Sequence, residues 1–413
     1  MADVRNATGV LAASELARKA DALPEPSVQA RGARRFEVIV EQNPGDIARR
    51  IAGTASKAAA TAFQSEPWLA AWYATIGRTV GDPLLVTALD RNTGELAAML
   101  PLVRRRDTWP RIVEFADASV SDSNAPLLGP AAPENAVEAR ALWDAVRAAL
   151  PDADLVRFTK MPAEIEGRAN PLVLLPAARL SSARDHLLVI EGSFEAYIAS
   201  LRPMLRKQLR KTWRLFTGHE GTSFRRIEDP DEAMRVLAIL EREQGARLRA
   251  RHEPYRLDEP AYSAFYQAIT ADGVADGSVI LTVLMHHDEI VAALLGLARG
   301  ASYVMTRISA DAKGWANRSP GRLIIVETMR MLHAEGFRQF DFSVGDYPYK
   351  GRLGARPRPL YDLTAALTAR GLPLAAYDRA KQFVRGQPAL LGLARRIRRP
   401  GRKPVDATAD DES

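Results

Sequence analysis

The order in which extended and helical patterns recur constrains this chain more than any other feature. In the first half, "PLLVTALD", the turn "RNTG" and "ELAAMLPLVRRR" read as the two strands of a hairpin. "RIVEFAD" follows as a third extended piece, "NAVEARALWDAVRAAL" as a helix and "DADLVRFTKM" as a closing strand. The second half spells the same order. "SVILTVLM", the turn "HHDE" and "IVAALLGLA" form a hairpin, then come "ASYVMTRIS", the loop "ADAKGWANRSPG", the helix "RLIIVETMRMLHAEG" and the strand "RQFDFSV". Strand, strand, strand, helix, strand, read twice with little residue identity, points to an α/β architecture built by duplication.

At 413 residues the chain suits two domains of roughly 100–200 residues with tails. Residues 1–35 carry no sustained period and read as a disordered tail. Residues 36–180 form the first unit, 181–370 the second, and 371–413 a basic helical or disordered tail that could lie on an anionic membrane. Within the first unit, "TAFQSEPWLAAWYATIG" reads as an aromatic-rich helix with Ser65 as N-cap and Gly77 as its stop. Between the units, "YIASLRPMLRKQLRKTWRLFTG" places Leu201, Leu205, Leu209 and Phe216 on one helical face and Arg202, Arg206, Arg210 and Arg214 on an adjacent stripe. That stripe reads either as a solvated face or as a cradle for an anionic substrate, with Arg206 and Arg210 at its centre.

Composition narrows the chemistry. There is no cysteine, which excludes disulfides, thiolate metal sites and a cysteine nucleophile and fits a reducing compartment. No run of about 18 apolar residues could span a bilayer, and no signal peptide opens the chain, so a cytoplasmic location is expected. A net charge of +7 favours anionic partners without choosing among them. The six histidines show no metal-ligand spacing, so no metal is expected. His252, in "RHEPY", could face an acceptor. No Walker A motif, dinucleotide fingerprint or Gly-x-Ser-x-Gly elbow is present.

The junction "NRSPGRLIIVETM" carries the strongest physical signal. Ser319 suits an N-cap, Pro320 the first helical position, and Gly321 removes side-chain bulk from the first turn. A strand, a loop and such a helix start place backbone amides and a positive dipole end where a phosphate can bind, with Arg318 and Arg322 beside them. The strand that follows ends in "FDFSVGDYPYKGRLG", a cluster of phenol, ammonium and carboxylate.

Taken in order, "FQSEPWLAAWYATIG", "LRPMLRKQLRKTWRLF", "SPGRLIIVETMRMLHAEGFRQFDFSVGD" and "YK" resemble the GNAT-type acyltransferases of the CelD/BcsL-like cellulose-biosynthesis group, relatives of the Fem aminoacyl transferases. The resemblance covers about residues 60–365. It implies tandem GNAT-like (acyl-CoA N-acyltransferase) domains, mixed sheets flanked by helices, and acetyl-CoA or another acyl-CoA as donor. The donor's pantetheine would run along Met305, Thr306 and Arg307, and its pyrophosphate would sit on the amides of Ser319, Pro320, Gly321 and Arg322. The usual GNAT pyrophosphate motif is reduced here to one glycine in "RSPGRL". The first unit has no such helix start and is expected to be degenerate, shaping the acceptor cleft.

Acyl transfer to an amine needs a deprotonated nucleophile, a stabilised oxyanion and a proton for the departing thiolate. Tyr349 is the candidate proton donor, Lys350 the candidate holder of an anionic group or the oxyanion, and Asp341 or Asp346 the candidate base, with Tyr347 beside the acceptor. The expected acceptor is an amino group of a sugar, an amino-acid derivative or an envelope-polysaccharide precursor. Two alternatives stand: aminoacyl transfer from charged tRNA, the one nucleic-acid partner considered, and a non-catalytic role in a polysaccharide-synthesis complex. Oligomeric state is not legible.

Overall fold

The two recurring runs become the two halves of one sheet in a computed structural model, which describes residues 35–310, 314–315 and 318–385. The N-terminal tail up to residue 34 and the basic segment after residue 385 lie outside the described residues.

The first half contributes β1 (Phe36–Glu41), α1 (Pro44–Thr54), α2 (Glu66–Ala74), α3 (Ile76–Val80), β2 (Gly81–Asp90), β3 (Leu96–Arg105), β4 (Ile112–Phe115), β5 (Leu127–Leu128), α4 (Ala136–Ala149) and β6 (Leu155–Pro162). A small hairpin follows, β7 (Glu164–Ile165) with β8 (Arg168–Ala169), and then the long β9 (Ala178–Val189). The second half contributes α5 (Phe194–Ser200), α6 (Pro203–Thr217), β10 (Thr222–Ile227), α7 (Pro230–Ala250), α8 (Pro260–Asp276), β11 (Val279–His286), β12 (Glu289–Arg299), β13 (Ser302–Ala310), α9 (Pro320–Ala334), β14 (Gln339–Asp341), α10 (Pro348–Arg352), β15 (Arg356–Ala366) and α11 (Leu372–Arg385).

The main sheet runs β1-β2-β3-β4-β6-β15-β9-β14-β13-β12-β11-β10, with β5 on β3. Each half is an antiparallel meander followed by a helical crossover to a parallel neighbour: α4 leads from β4 to β6, which pairs Ile112 with Leu155, and α9 leads from β13 to β14, which pairs Tyr303 with Phe340. The strand that leaves each half then pairs within the other. β9 lies on β14, β15 lies on β6, and the two join the halves by pairing with each other. The boundary expected at residue 180 therefore falls inside β9.

Helices cover both faces. Trp68 and Trp72 of α2 meet Phe265 of α8 in a core shared by the halves, with the Trp68 and Phe265 rings edge to face at 4.8 Å. Leu205 and Phe216 of α6 and Ile324 and Met329 of α9 fill the other face of the second half. Trp143 of α4 packs over Phe158 in the first.

Three local expectations are corrected. Ser65 stands at the N-cap of α2 but makes no side-chain cap bond. The helix stops at Ala74, so Gly77 lies within α3, where a Cβ would come 2.8 Å from Trp72 Cζ3. β14 is only three residues long, because the chain turns away after Asp341.

Candidate functional site

β13 and β14 pair from Ser302–Gln339 to Val304–Asp341 and then part, since β13 continues to Ala310 while β14 ends. Two features shape the gap. Thr306 is the extra residue of a β-bulge, with Leu295 opposite Arg307 and Gly296 opposite Met305, and its hydroxyl donates to Leu295 O at 2.9 Å. Ser343, at φ +63°, donates its hydroxyl to Met305 O at 2.6 Å and so ties the turn after β14 to the edge of β13. The bulge reverses the alternation of side chains, which sends Arg307 to the face opposite Met305. There it is bound by Gln244 Oε1 at 2.7 Å and the Tyr255 hydroxyl at 2.8 Å, over the Tyr266 ring. Its side chain is committed to α7 and α8, which leaves only its backbone for the role assigned from the resemblance.

The start of α9 stands above this gap. Ser319 adopts a left-handed conformation at φ +42° and makes no side-chain cap bond, so it does not cap as the sequence suggests. Instead its carbonyl accepts from the Arg322 and Leu323 amides, each at 3.1 Å. The first turn carries no acid. A Cβ on Gly321 would stand 3.6 Å from Ala310 Cβ and 3.9 Å from Ile308 Cδ1. Any longer side chain there enters the space between the helix start and the end of β13.

At the mouth of the gap three strands assemble a cluster of carboxylates around one guanidinium. Leu187 of β9 lies opposite both Asp341 and Arg356, and Asp185 lies opposite Arg358, which puts Asp185, Asp341 and Arg358 on one face. Arg358 donates to Asp185 from Nε at 3.0 Å and from Nη2 at 2.6 Å, and Nη2 also reaches Asp341 Oδ2 at 2.7 Å. Asp341 Oδ1 accepts the Ser343 amide at 2.7 Å. Burial pushes the Asp341 carboxyl up to about 7, the Asp185 charge adds to this, and Arg358 opposes it. A carboxylate tuned near neutrality fits a general base.

The turn after Asp341 is fastened from within. Lys350 is 1% exposed, and its ammonium donates to Ser343 O and Val344 O, each at 2.9 Å. Burial draws its pKa down, against the pull of Asp122 and Asp341. Lys350 therefore pins the turn and is not presented to an acceptor. Burial pushes the Tyr349 hydroxyl up to about 12, which makes it a weaker proton donor than a free phenol, and its ring packs near Phe342. Tyr347 is exposed and stacks on Tyr349 with ring centres 6.2 Å apart. Asp346 is also exposed, with Oδ1 3.4 Å from His186 Nε2.

A cleft of about 140 Å³ opens on the face that bears Asp341, walled by Thr61 and Phe63 from the first half, Val304 from the second, and Asp185 and Arg358 from the two strands that join them. Its charged lining is four carboxylates, Glu164, Glu166, Asp185 and Asp341, against Arg299 and Arg358. Arg206 and Arg210 are not part of it: they lie on the outer side of α6. His252 sits exposed in the turn after α7, at φ +56°. Among the described residues no cluster suits a metal ion.

Sequence reasoning misses Asp185, Arg358 and Asp122. Asp122 comes from the loop after β4, whose Asp117 is bound by Lys160 Nζ at 2.7 Å and by Asn124 Nδ2 at 3.1 Å. Burial pushes the Asp122 carboxyl up, while Ser343 within hydrogen-bond reach and the nearby Lys160 and Lys350 oppose the shift. The half expected to be degenerate thus places a carboxyl beside the turn of the second. The only signal in sequence was a turn-rich loop.

Residues 204–351 match the family model described as an acetyltransferase (GNAT) domain. No curated protein matches the chain. Among solved structures the chain is similar to FemX, at 12% identity and a TM-score of 0.54 over 83% of this chain and 99% of that one. It is also similar to a tandem GNAT protein from the clavulanic acid biosynthesis pathway, at 13% identity and 0.42 over 81% and 99%, and to L-PGS from Bacillus licheniformis, at 12% and 0.46 over 86% and 98%. The molecule has a tandem GNAT-like α/β fold, with the matched domain carrying the gap, the start of α9 and the Asp341 turn.

Proposed function

We propose that this GNAT-like protein is an acyl-CoA-dependent N-acyltransferase, with acetyl-CoA or another acyl-CoA as donor and no metal, acting on an amino group of a sugar, amino-acid derivative or envelope-polysaccharide precursor. The observation that carries the reading is the parting of β13 and β14 beneath the acid-free start of α9, with a carboxyl tuned to about 7 at its edge. The assignment to the CelD/BcsL-like group rests on the sequence motifs alone.

In this reading the donor's phosphates rest on the first turn of α9 and its pantetheine lies along the edge of β13 at Met305, Thr306 and the backbone of Arg307, past the point where the Ser343 hydroxyl ties Met305 O. The acceptor enters the cleft on the opposite face, where carboxylates outnumber guanidiniums and favour an ammonium. Asp341 takes a proton from that ammonium. The freed nitrogen lone pair forms the C–N bond to the thioester carbon, and collapse of the tetrahedral adduct breaks the C–S bond. The departing thiolate takes the second amine proton, giving amide and thiol. Asp185 and Arg358 hold Asp341 in place, and Lys350 holds the turn.

The test is calorimetric titration with CoA and acetyl-CoA of the wild type and of Gly321→Glu. The expected result is micromolar-range binding in the wild type, lost in the variant because a carboxylate fills the gap beside Ala310 and opposes the phosphates. Absence of binding to either ligand overturns the donor. It would favour the second reading, aminoacyl transfer from a charged tRNA, which the likeness to FemX in fold fits equally well.

A further inference from the structure

The outer face of α6 gathers cations on one helix with no acid among them. Leu205, Leu209, Thr212 and Phe216 are buried against the second half. Opposite them, at 100° per residue, stand Arg206, Lys207, Arg210, Lys211 and Arg214, and the helix contains no acid. Lys207, Arg210, Lys211 and Arg214 are exposed, and among the described residues none of the five pairs with a carboxylate. Elsewhere some exposed guanidiniums find partners, as Arg140 does on Asp144 and Arg249 on Asp258, and these lie next to acids on their own or a neighbouring element. On α6 the spacing produces three like-charge contacts at four residues, 206 with 210, 207 with 211 and 210 with 214, each unfavourable to the isolated helix. A solvated helix with no task would interleave both signs.

Apolar side chains border the cations. Met204, 77% exposed, and Leu215, 39% exposed, lie on one flank because they are three helical turns apart. The helix's aromatic on the other flank, Trp213, is half-buried and stacks on Phe216. We propose that α6 docks the protein on a membrane surface rich in anionic phospholipid, with the exposed Lys207, Arg210, Lys211 and Arg214 over the headgroup phosphates and Met204 and Leu215 entering the headgroup boundary. A nucleic-acid backbone would satisfy the cations but leave both apolar residues in water, and the helix offers no free ring to stack a base. The docking face is separate from the cleft at Asp341.

Co-sedimentation of the full chain with phosphatidylcholine vesicles containing about one-third phosphatidylglycerol tests this. The expected result is binding that pure phosphatidylcholine does not give and that high salt abolishes. Lys207→Glu with Lys211→Glu should weaken it by more than about tenfold, and the neutral pair Lys207→Gln with Lys211→Gln less so, at unchanged melting temperature. Met204→Ser with Leu215→Ser should also weaken it. Three results overturn the proposal: no binding by the full chain; undiminished binding by the charge-reversed protein, which would move docking to another segment; or salt-sensitive binding to an RNA oligonucleotide that exceeds vesicle binding and ignores the Met204 and Leu215 changes.

Discussion

Replacing Asp341 by Asn removes one titrating group from the Arg358 cluster at nearly constant volume. In the folded protein that carboxyl keeps its proton up to about 7, whereas its ordinary value is 3.8. Its contribution therefore favours folding fully below 3.8 and is lost as pH rises to about 7. Three units at about 1.4 kcal/mol each give about 4 kcal/mol lost by the wild type across that window and not by the variant. The attraction to Arg358 acts on the ionised carboxylate only and is already contained in the value of about 7, so it adds no separate loss below that pH. Glu114 and Glu327, whose pKa values burial also raises, tilt both proteins alike. Urea unfolding from about pH 4 to about pH 8 should then show the stability of Asp341→Asn relative to wild type rising by about 2–4 kcal/mol. A difference flat to within about 0.5 kcal/mol would mean that Asp341 is ionised throughout, and the argument for a base poised near neutrality would fail.

Other perturbations test the frame of the site. Gly296→Ala should lower stability by more than about 2 kcal/mol, read as a fall in urea midpoint, because the new Cβ would sit 2.4 Å from Tyr303 Cζ and from Val304 O, at the bulge; an unchanged midpoint would refute the packing described there. Lys350→Met should cost about 1–3 kcal/mol by stripping Ser343 O and Val344 O of their donor. If Lys350 served an acceptor and not the turn, the variant would lose activity at full stability.

The long strands and the α9 helix are legible because each buries a continuous run. β11 and β12 are apolar at almost every position, and α9 turns Leu323, Ile324 and Met329 inward. β9 and β15 are not, and the reason is physical. "ARLSSARDHLLV" and "RPRPLYDLTAA" carry charges or prolines along their length, and their pairing depends on each other and on β6 and β14 rather than on local pattern. Asp341 stands out in sequence because it ends a readable strand. Its partners do not, since Asp185 lies far upstream and Arg358 looks like one basic residue among many. Lys350 misleads for the opposite reason: nothing local shows that the carbonyls of residues 343 and 344 turn inward to meet it.

The exchanged strands also bear on how the site works. Asp185 rides on β9 and Arg358 on β15, the two strands that join the halves, and Asp341 faces both across Leu187. The environment that raises the Asp341 carboxyl is therefore a product of the pairing between halves and not of the matched domain alone. Asp122, delivered by the first half to Ser343, adds to the same dependence. A first half without a Ser-Pro-Gly helix start is accordingly no spare copy: it supplies Thr61 and Phe63 to the cleft, a carboxyl to the turn, and in β6 the neighbour that keeps β15, and with it Arg358, in register.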